Sequence, residues 1–181
     1  MTQFPLHTPS TAPAPSKAIL SQMGHAAIEA PNLVRTLAEA PAALTAFQQL
    51  KGAFASSSLS PIEQEVVYLA VAKANQCHYC TAQTGAFDSG PEAQAAADAI
   101  RGERPLRDPR LQALRRFAMA MTSQRGWVSD THIGEFLAAG YSRAQVLEVI
   151  SGVALATLSS YVNHVAATPL DGGMYGQPLN A

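Results

Sequence analysis

The chain has 181 residues, of which 48% are hydrophobic and 14% charged, and its formal net charge is -1. This length suits one domain with a sizeable core, and the composition is too apolar for a disordered chain. The sequence has no basic run or face, which argues against nucleic acid and against a membrane surface as partners.

A proline-rich stretch at residues 1–15 predicts an extended arm that can lie on a partner subunit. The arm has neither the basic nor the apolar region of a secretory signal, so we expect a cytoplasmic protein whose thiols are mostly reduced. Ser16 is the predicted N-cap of a short helix that ends near Gly24. Pro31 and Pro41 then occupy positions typical of first helical turns, and leucines follow at helical spacing.

A capping box predicts the start of the next helix. Ser60 is its N-cap, Pro61 is its first residue, and Glu63 is three residues after the cap. This helix should extend to about Asn75. The two cysteines of the chain come directly afterwards and are expected to begin a further helix that reaches about Asp88.

The second half of the chain contains four more predicted helices, each bounded by a cap or a helix-ending glycine or proline. They are expected over residues 91–102, from Asp108 onward, over residues 129–140, and from Ser142 to about Ala167.

The last of these helices is the longest and most apolar, but polar side chains interrupt residues 146–165. We therefore expect no membrane span. The sequence shows no strand pattern. The predicted fold is all-α, with a helical domain over residues 16–171 and a loose tail over residues 172–181.

Cys77 and Cys80 form a C-x-x-C motif at a predicted helix start. Backbone N–H groups at that end favour a thiolate, and residues three apart share a helix face, so the sulfurs can meet as a disulfide. One thiol can then attack an oxidant or a substrate disulfide while the other resolves the product. Half of a zinc site and simple core packing are the alternatives for such a pair.

The zinc alternative is weakened by the rest of the sequence. Structural zinc requires four ligands, and the five histidines are scattered without ligand spacing. We expect no metal and no other cofactor.

Glu65 lies in "EVVYLAVA", one of the most apolar stretches of the chain. A carboxylate buried there would hold its proton more tightly and could act as a general base. The alternative is an exposed glutamate near the N-terminus of a helix, where negative charge is favourable. The sequence pattern alone does not separate the two.

The segment "LSPIEQEVVYLAVAKANQCHYCTAQT" resembles the core of the AhpD-like alkylhydroperoxidases, within the carboxymuconolactone decarboxylase superfamily. In their pattern a glutamate precedes C-x-x-C-x-x-x-H by twelve residues, and Glu65, Cys77 and Cys80 keep that register. The stretches "RGWVSD", "AAGYSRAQVLEVISGVALATLSSYVNH" and "TPLD" resemble a peroxidase-related branch of the superfamily. The resemblance covers roughly residues 17–171.

The resemblance implies an all-helical subunit that assembles as a homotrimer or homohexamer and reduces peroxides with its thiols. In that scheme Cys80 attacks the peroxide, Cys77 closes the disulfide, and Glu65 is the base. A peroxide or a disulfide is the substrate, and an external dithiol protein re-reduces the pair. The alternatives are a dithiol sensor without turnover and a lactone decarboxylase, whose chemistry needs no C-x-x-C.

Thr84 departs from the pattern, because the family's relay histidine belongs at this position. A hydroxyl does not titrate near neutral pH, whereas imidazole does. Three interpretations follow: Glu65 reaches Cys80 directly or through water, another histidine substitutes, or peroxidase activity is weak or lost. His164, on the apolar last helix, is the best substitute, although a hydrogen-bonded core histidine is the more common outcome for such a position.

Overall fold

The computed structural model describes residues 4–23, 30–83, 86–88 and 90–172. Within these ranges the chain is all-helical, as predicted. The nine helices are α1 Ala14–Met23, α2 Asn32–Leu37, α3 Pro41–Ala55, α4 Pro61–Ala74, α5 His78–Ala82, α6 Pro91–Arg101, α7 Pro109–Ser123, α8 Asp130–Ala138 and α9 Arg143–Ala166.

Local capping signals determine where most of these helices begin. The predicted capping box at α4 is confirmed, because the Ser60 N–H donates to the Glu63 carboxylate at 2.8 Å. Asp108, Ser129 and Ser142 cap α7, α8 and α9 with their side chains. Each cap satisfies backbone N–H groups that a helix start otherwise leaves unpaired.

Two predicted boundaries were wrong. Helix α1 begins at Ala14, two residues before the expected cap, and Ser16 lies buried inside it. Helix α5 ends at Ala82 instead of near Asp88, because the backbone is already extended at Gln83.

Helix α4 is the centre of the molecule and is buried on all sides from Glu63 to Ala72. Helices α5, α6, α7 and α9 pack around it. Gly152 of α9 permits a close approach to α3 and α4: a Cβ at this position would lie 2.6 Å from the Phe54 ring and 2.7 Å from Val67. Glycine is therefore required here for packing.

The described part of the N-terminal arm lies against α2 of its own subunit. The His7 ring contacts the Glu39 carboxylate at 2.6 Å, and the His7 N–H donates to the carbonyl of Arg35 at 3.3 Å. Whether the arm also reaches a partner subunit stays a prediction. All of the predicted tail except Gly172 lies outside the described residues.

Helix α9 is long and apolar enough to span a membrane by length and composition alone, contrary to the expectation from its polar side chains. It packs on α2, α3, α4, α5 and α7, however, and these contacts account for much of its apolar sequence. The opposite face exposes four large apolar side chains: Leu147, Ile150, Tyr161 and Val165.

Candidate functional site: the dithiol and its two sides

Cys77 and Cys80 lie at the start of α5, where the chain turns back from the central helix. The two Sγ atoms are 2.6 Å apart, and both residues are free cysteines. Cys77 is the N-cap of α5, and its sulfur accepts the backbone N–H of Cys80 at 3.2 Å. The expected position of one thiol at exposed helix N–H groups is confirmed, and the sulfurs are close enough to react with each other.

The two thiols have opposite acidities. The hydrogen bond from the Cys80 thiol lowers the pKa of Cys77 to about 6, and the Cys80 backbone N–H, Ser160 and His164 act in the same direction. That same hydrogen bond, together with burial, raises the pKa of Cys80 well above its ordinary value. Both directions favour the thiolate on Cys77, whose sulfur also accepts the Cys80 backbone N–H.

Cys80 faces the interior between α4 and α9. It is 0% exposed, and the Asn163 side-chain amide donates to its sulfur at 3.3 Å. The Ser160 hydroxyl lies 3.9 Å from the same sulfur. Cys80 also interacts with the Tyr68 phenol, whose pKa burial raises well above its ordinary value. The Tyr68 hydroxyl therefore stays protonated and can donate.

Tyr68 also borders a small cavity of about 30 Å³. Apolar side chains from α2, α3 and the segment after α5 form most of its wall, including Leu33, Phe47 and Phe87. This volume suits a molecule about as large as one or two waters.

The Cys77 side of the pair borders a larger and more open cleft of about 660 Å³. Its wall comes from the end of α4, the start of α5, the loop after α6, and α7. Cys77 itself is only 1% exposed, so a reactant must come directly against its sulfur.

Glu65 lies on α4 and is 1% exposed. Of the two alternatives left open by the sequence, the buried carboxylate is therefore confirmed. Its Oε2 accepts the backbone N–H of Phe87 at 3.0 Å. This bond ties Phe87, which follows α5 in the chain, to the central helix. Thr84 itself lies outside the described residues, so the interpretations of the missing histidine stay predictions.

His164 is exposed, and its neighbour Asn163 faces the sulfurs instead. The expectation of a core histidine was therefore wrong. Successive residues on a helix point about 100° apart, so when Asn163 faces the sulfurs, His164 points toward solvent. His164 still contributes electrostatically to the lowered pKa of Cys77. Three residues of the site were not predicted from the sequence: Asn163, Ser160 and Tyr68. The signal was available, since Ser160 and Asn163 interrupt an apolar helix three residues apart.

A second network holds the cysteine helix from outside. The Tyr79 hydroxyl donates to Asp171 Oδ2 at 2.7 Å and accepts the N–H of Leu33 at 3.2 Å. The other carboxylate oxygen of Asp171 accepts the N–H of Asn32 at 2.7 Å. One carboxylate after α9 thus joins α2 to α5.

In the part of the chain that the structure describes, no three of the histidine, cysteine, aspartate and glutamate side chains cluster as metal ligands do. Among the described residues, the side-chain groups that interact with the two sulfurs come from the other cysteine, from α9 and from Tyr68.

Comparison with known proteins gives a family for the site segment and a fold for the chain. The profile of the carboxymuconolactone decarboxylase family matches residues 38–87, which contain Glu65 and both cysteines. No curated protein sequence matches the chain significantly.

Solved structures match over nearly the whole length. An AhpD-core, uncharacterized peroxidase-related protein from Ralstonia eutropha JMP134 has a TM-score of 0.80 at 19% identity, with 96% of this chain and 94% of that chain covered. A peroxidase-related protein from Silicibacter sp. TM1040 has a TM-score of 0.77 at 17% identity, with 97% and 93% covered. The debrominase Bmp8, as its C82A variant with 2,3,4-tribromopyrrole, has a TM-score of 0.72 at 17% identity, with 96% of each chain covered. At these identities the likeness establishes the fold.

Proposed function

Taking the chain as an AhpD-like protein of the carboxymuconolactone decarboxylase superfamily, we propose that it is a thiol-dependent peroxidase that uses Cys77 and Cys80 without a metal or cofactor. The observation that carries the proposal is the 2.6 Å separation of the two sulfurs at the N-terminus of α5. The net reaction converts a hydroperoxide and two thiols into an alcohol, water and a disulfide.

Cys80 attacks the peroxide, and Cys77 is the base that removes its proton. This transfer is uphill, because Cys80 is the weaker acid of the pair, but the 2.6 Å separation of the two sulfurs lets the proton pass directly between them. The resulting Cys80 thiolate keeps Asn163 as a donor, and the protonated Tyr68 hydroxyl is available as a second one. This exchange supplies a base near neutral pH where the family's relay histidine is replaced by Thr84.

The remaining steps balance within the same pair. Attack on the distal peroxide oxygen breaks the O–O bond, leaves a sulfenic acid on Cys80, and releases an alkoxide that takes the proton from Cys77. The Cys77 thiolate then attacks the Cys80 sulfur, and hydroxide leaves as water after gaining one proton. Glu65 is the candidate group for supplying that last proton. An external dithiol then reduces the disulfide.

The carboxamide oxygen of Asn163 supports a peroxide on the Cys80 side. It is buried and has no hydrogen-bond partner among the described residues. A buried acceptor without a donor is unfavourable, and the O–H of a hydroperoxide would supply one. The cavity bordered by Tyr68 is small enough to favour hydrogen peroxide or a short alkyl hydroperoxide.

Peroxide consumption with an excess of a dithiol tests the proposal. The wild type should turn over and Cys80→Ser should not, with both proteins folded by circular dichroism. A wild type that loses two thiols once without consuming further peroxide is a dithiol sensor. Turnover of a carboxymuconolactone by Cys80→Ser as fast as by wild type would instead support a lactone decarboxylase.

We also propose that the protein is a homotrimer or homohexamer, in which a second subunit covers the apolar face of α9. Leu147, Ile150, Tyr161 and Val165 are exposed there at helical spacing, and such a face on a soluble protein marks an interaction site. Light scattering should give a multiple of the 19.0 kDa subunit mass. The double variant Leu147→Glu, Ile150→Glu should lower it, and a monomeric wild type would refute the assembly.

A further inference from the structure

The open cleft beside Cys77 has the size of a small-molecule site, at about 660 Å³. Three charged side chains contribute to its wall. Lys73, Glu103 and Arg115 all line it, together with His78. The peroxide chemistry proposed above occurs on the other side of the pair and leaves this cleft without a role.

The cleft has an excess of one buried positive charge. The Lys73 ammonium lies 3.0 Å from the Glu103 carboxylate, so these two charges offset each other. Arg115 is only 7% exposed, and its one hydrogen bond among the described residues is to the carbonyl oxygen of Arg104. It forms no ion pair within the described part of the chain, and the exposed Glu103 carboxylate, which is bound to Lys73, attracts it only from a distance.

A buried guanidinium has five N–H donors and is never deprotonated in practice. Burial without a paired carboxylate is costly, and an anionic ligand would relieve that cost. Carboxylates fit the planar fork of arginine especially well. The cleft is therefore suited to a ligand that carries a carboxylate.

We propose that this cleft binds a carboxylate-bearing thiol, with its carboxylate on Arg115 and its sulfur against Cys77, and that this thiol is the reductant of the Cys77–Cys80 disulfide. The inference rests on the proposed function for the existence of that disulfide. The anion site itself does not depend on it.

The step is a thiol–disulfide exchange. The reductant's thiolate attacks Cys77 Sγ from the cleft, the bond between the two cysteines breaks, and Cys80 leaves as a thiolate that accepts the Asn163 N–H and then a proton. A second thiolate of the reductant attacks its own sulfur in the mixed disulfide and releases the Cys77 thiolate. Two thiols are oxidised to one disulfide, and the protein disulfide is reduced.

The anion site is tested on the reduced protein with two alkylating reagents of nearly equal shape, iodoacetate and iodoacetamide. Peptide mass spectrometry measures the rate of each reagent at Cys77 in the Cys80→Ser background. Because both reagents react with the same thiolate, the ratio of the two rates does not depend on thiol acidity. Arg115→Gln should lower the iodoacetate-to-iodoacetamide ratio roughly tenfold, as expected for loss of one charged hydrogen bond.

Two further variants keep this test decisive. Arg116→Gln makes the same change of charge at the next residue of α7, which is exposed, and its ratio should equal that of the parent. Glu103→Gln removes the exposed carboxylate that offsets Lys73, and its ratio should rise. Equal ratios in parent, Arg115→Gln and Glu103→Gln would overturn the anion site. Because Glu103 is exposed, Glu103→Gln should fold, and its ratio tests the site even if Arg115→Gln does not fold.

The reductant is tested on the protein oxidised with diamide, using 3-mercaptopropionate, 2-mercaptoethanol and cysteamine, which share a two-carbon chain and differ in charge. The rate per thiolate should be highest for the carboxylate, and Arg115→Gln should remove that order while Arg116→Gln keeps it. No dependence on charge would overturn the reductant assignment. If diamide forms no disulfide, the proposed function and the reductant role both fail, while the alkylation ratio still decides the anion site.

Discussion

The two sides of the dithiol differ although the cysteines are only three residues apart. Cys80 faces the packed interface of α4 and α9, close to the side chains of Asn163, Ser160 and Tyr68, and Tyr68 also borders a cavity of about 30 Å³. Cys77 faces a cleft of about 660 Å³ with charged walls. One helical turn therefore places two chemically similar sulfurs in unlike surroundings, which allows one to meet a small oxidant and the other a larger reductant.

The largest effect should come from replacing each of the two cysteines by serine in turn. Cys80→Ser should abolish peroxide consumption and leave no sulfenic acid after one equivalent of peroxide. Cys77→Ser should also abolish turnover but should still form a sulfenic acid on Cys80, more slowly because its base is gone. Mass spectrometry after dimedone trapping distinguishes the two. A sulfenic acid found on Cys77 in Cys80→Ser, and none on Cys80, would reverse the assignment of the two sides.

The next largest effect concerns Glu65, the buried carboxylate of α4. Glu65→Gln keeps an oxygen for the Phe87 N–H but loses the ability to exchange a proton. If Glu65 is a general acid–base group, the rate of peroxide-driven disulfide formation should fall roughly 100- to 10,000-fold. Glu92→Gln, at an exposed position of α6, is the matched control and should keep the wild-type rate. An unchanged rate in a folded Glu65→Gln would leave this carboxylate a structural role only.

A smaller effect is expected from placing at position 84 the imidazole that the resemblance to the AhpD-like proteins predicts there. Thr84→His should raise peroxidase activity and add a limb near the ordinary histidine pKa of about 6.5 to the pH profile. Thr84→Asn places a non-titrating side chain of intermediate size at the same position and should add no such limb. If the Cys77 thiolate already serves as the base, the gain should be modest. A large gain would show that the exchange within the pair is a poor substitute for the relay.

The smallest effect is a shift in acidity between the two sides. Alkylation of reduced Cys77 should rise with pH around its pKa of about 6, and Cys80→Ala should move that midpoint upward by removing the donated S–H. An unmoved midpoint would show that the backbone N–H of Cys80 is the main cause instead.

The same shift predicts how stability depends on pH. Between pH 6 and the ordinary thiol pKa of 9, native Cys77 binds fewer protons than the unfolded chain. The free energy of unfolding of the reduced protein should therefore rise with pH across this window, and this stabilisation is lost as pH falls through 6. Above pH 9 the raised pKa of Cys80 acts in the opposite sense. Urea unfolding at several pH values measures both limbs, and Cys77→Ser should remove the lower one.

Much of the fold could be predicted because helix starts are local. A pattern of about four residues predicts the N-cap of three helices, at Ser60, Asp108 and Ser142. The structure has helices that begin directly after these residues. The end of α5 could not be predicted, since it coincides with an extended residue in a segment held by Glu65 from α4. Such a tie between distant parts of the chain leaves no local signal.

The site was predictable in its reactive groups but not in its surroundings. The spacing of Cys77 and Cys80 and the apolar neighbours of Glu65 are visible in the sequence. Which of two adjacent polar residues on α9 turns inward depends on the exact rotation of that helix, and the structure selects Asn163 over His164. Arg115 gave no signal either, because an arginine beside an apolar stripe is normally solvated.

The Asp171 carboxylate, which joins Asn32 and Tyr79, links the order of the cysteine helix to that of the segment after α9. Parts of a protein that share such bonds tend to open together in native-state fluctuations. The backbone amides of Asn32 and Leu33 should then exchange with deuterium at one common rate, and Asp171→Asn should speed both. Reactants would then reach the two sulfurs as often as the hydrogen bonds of Asp171 break. The widths of the cleft and of the cavity would matter less.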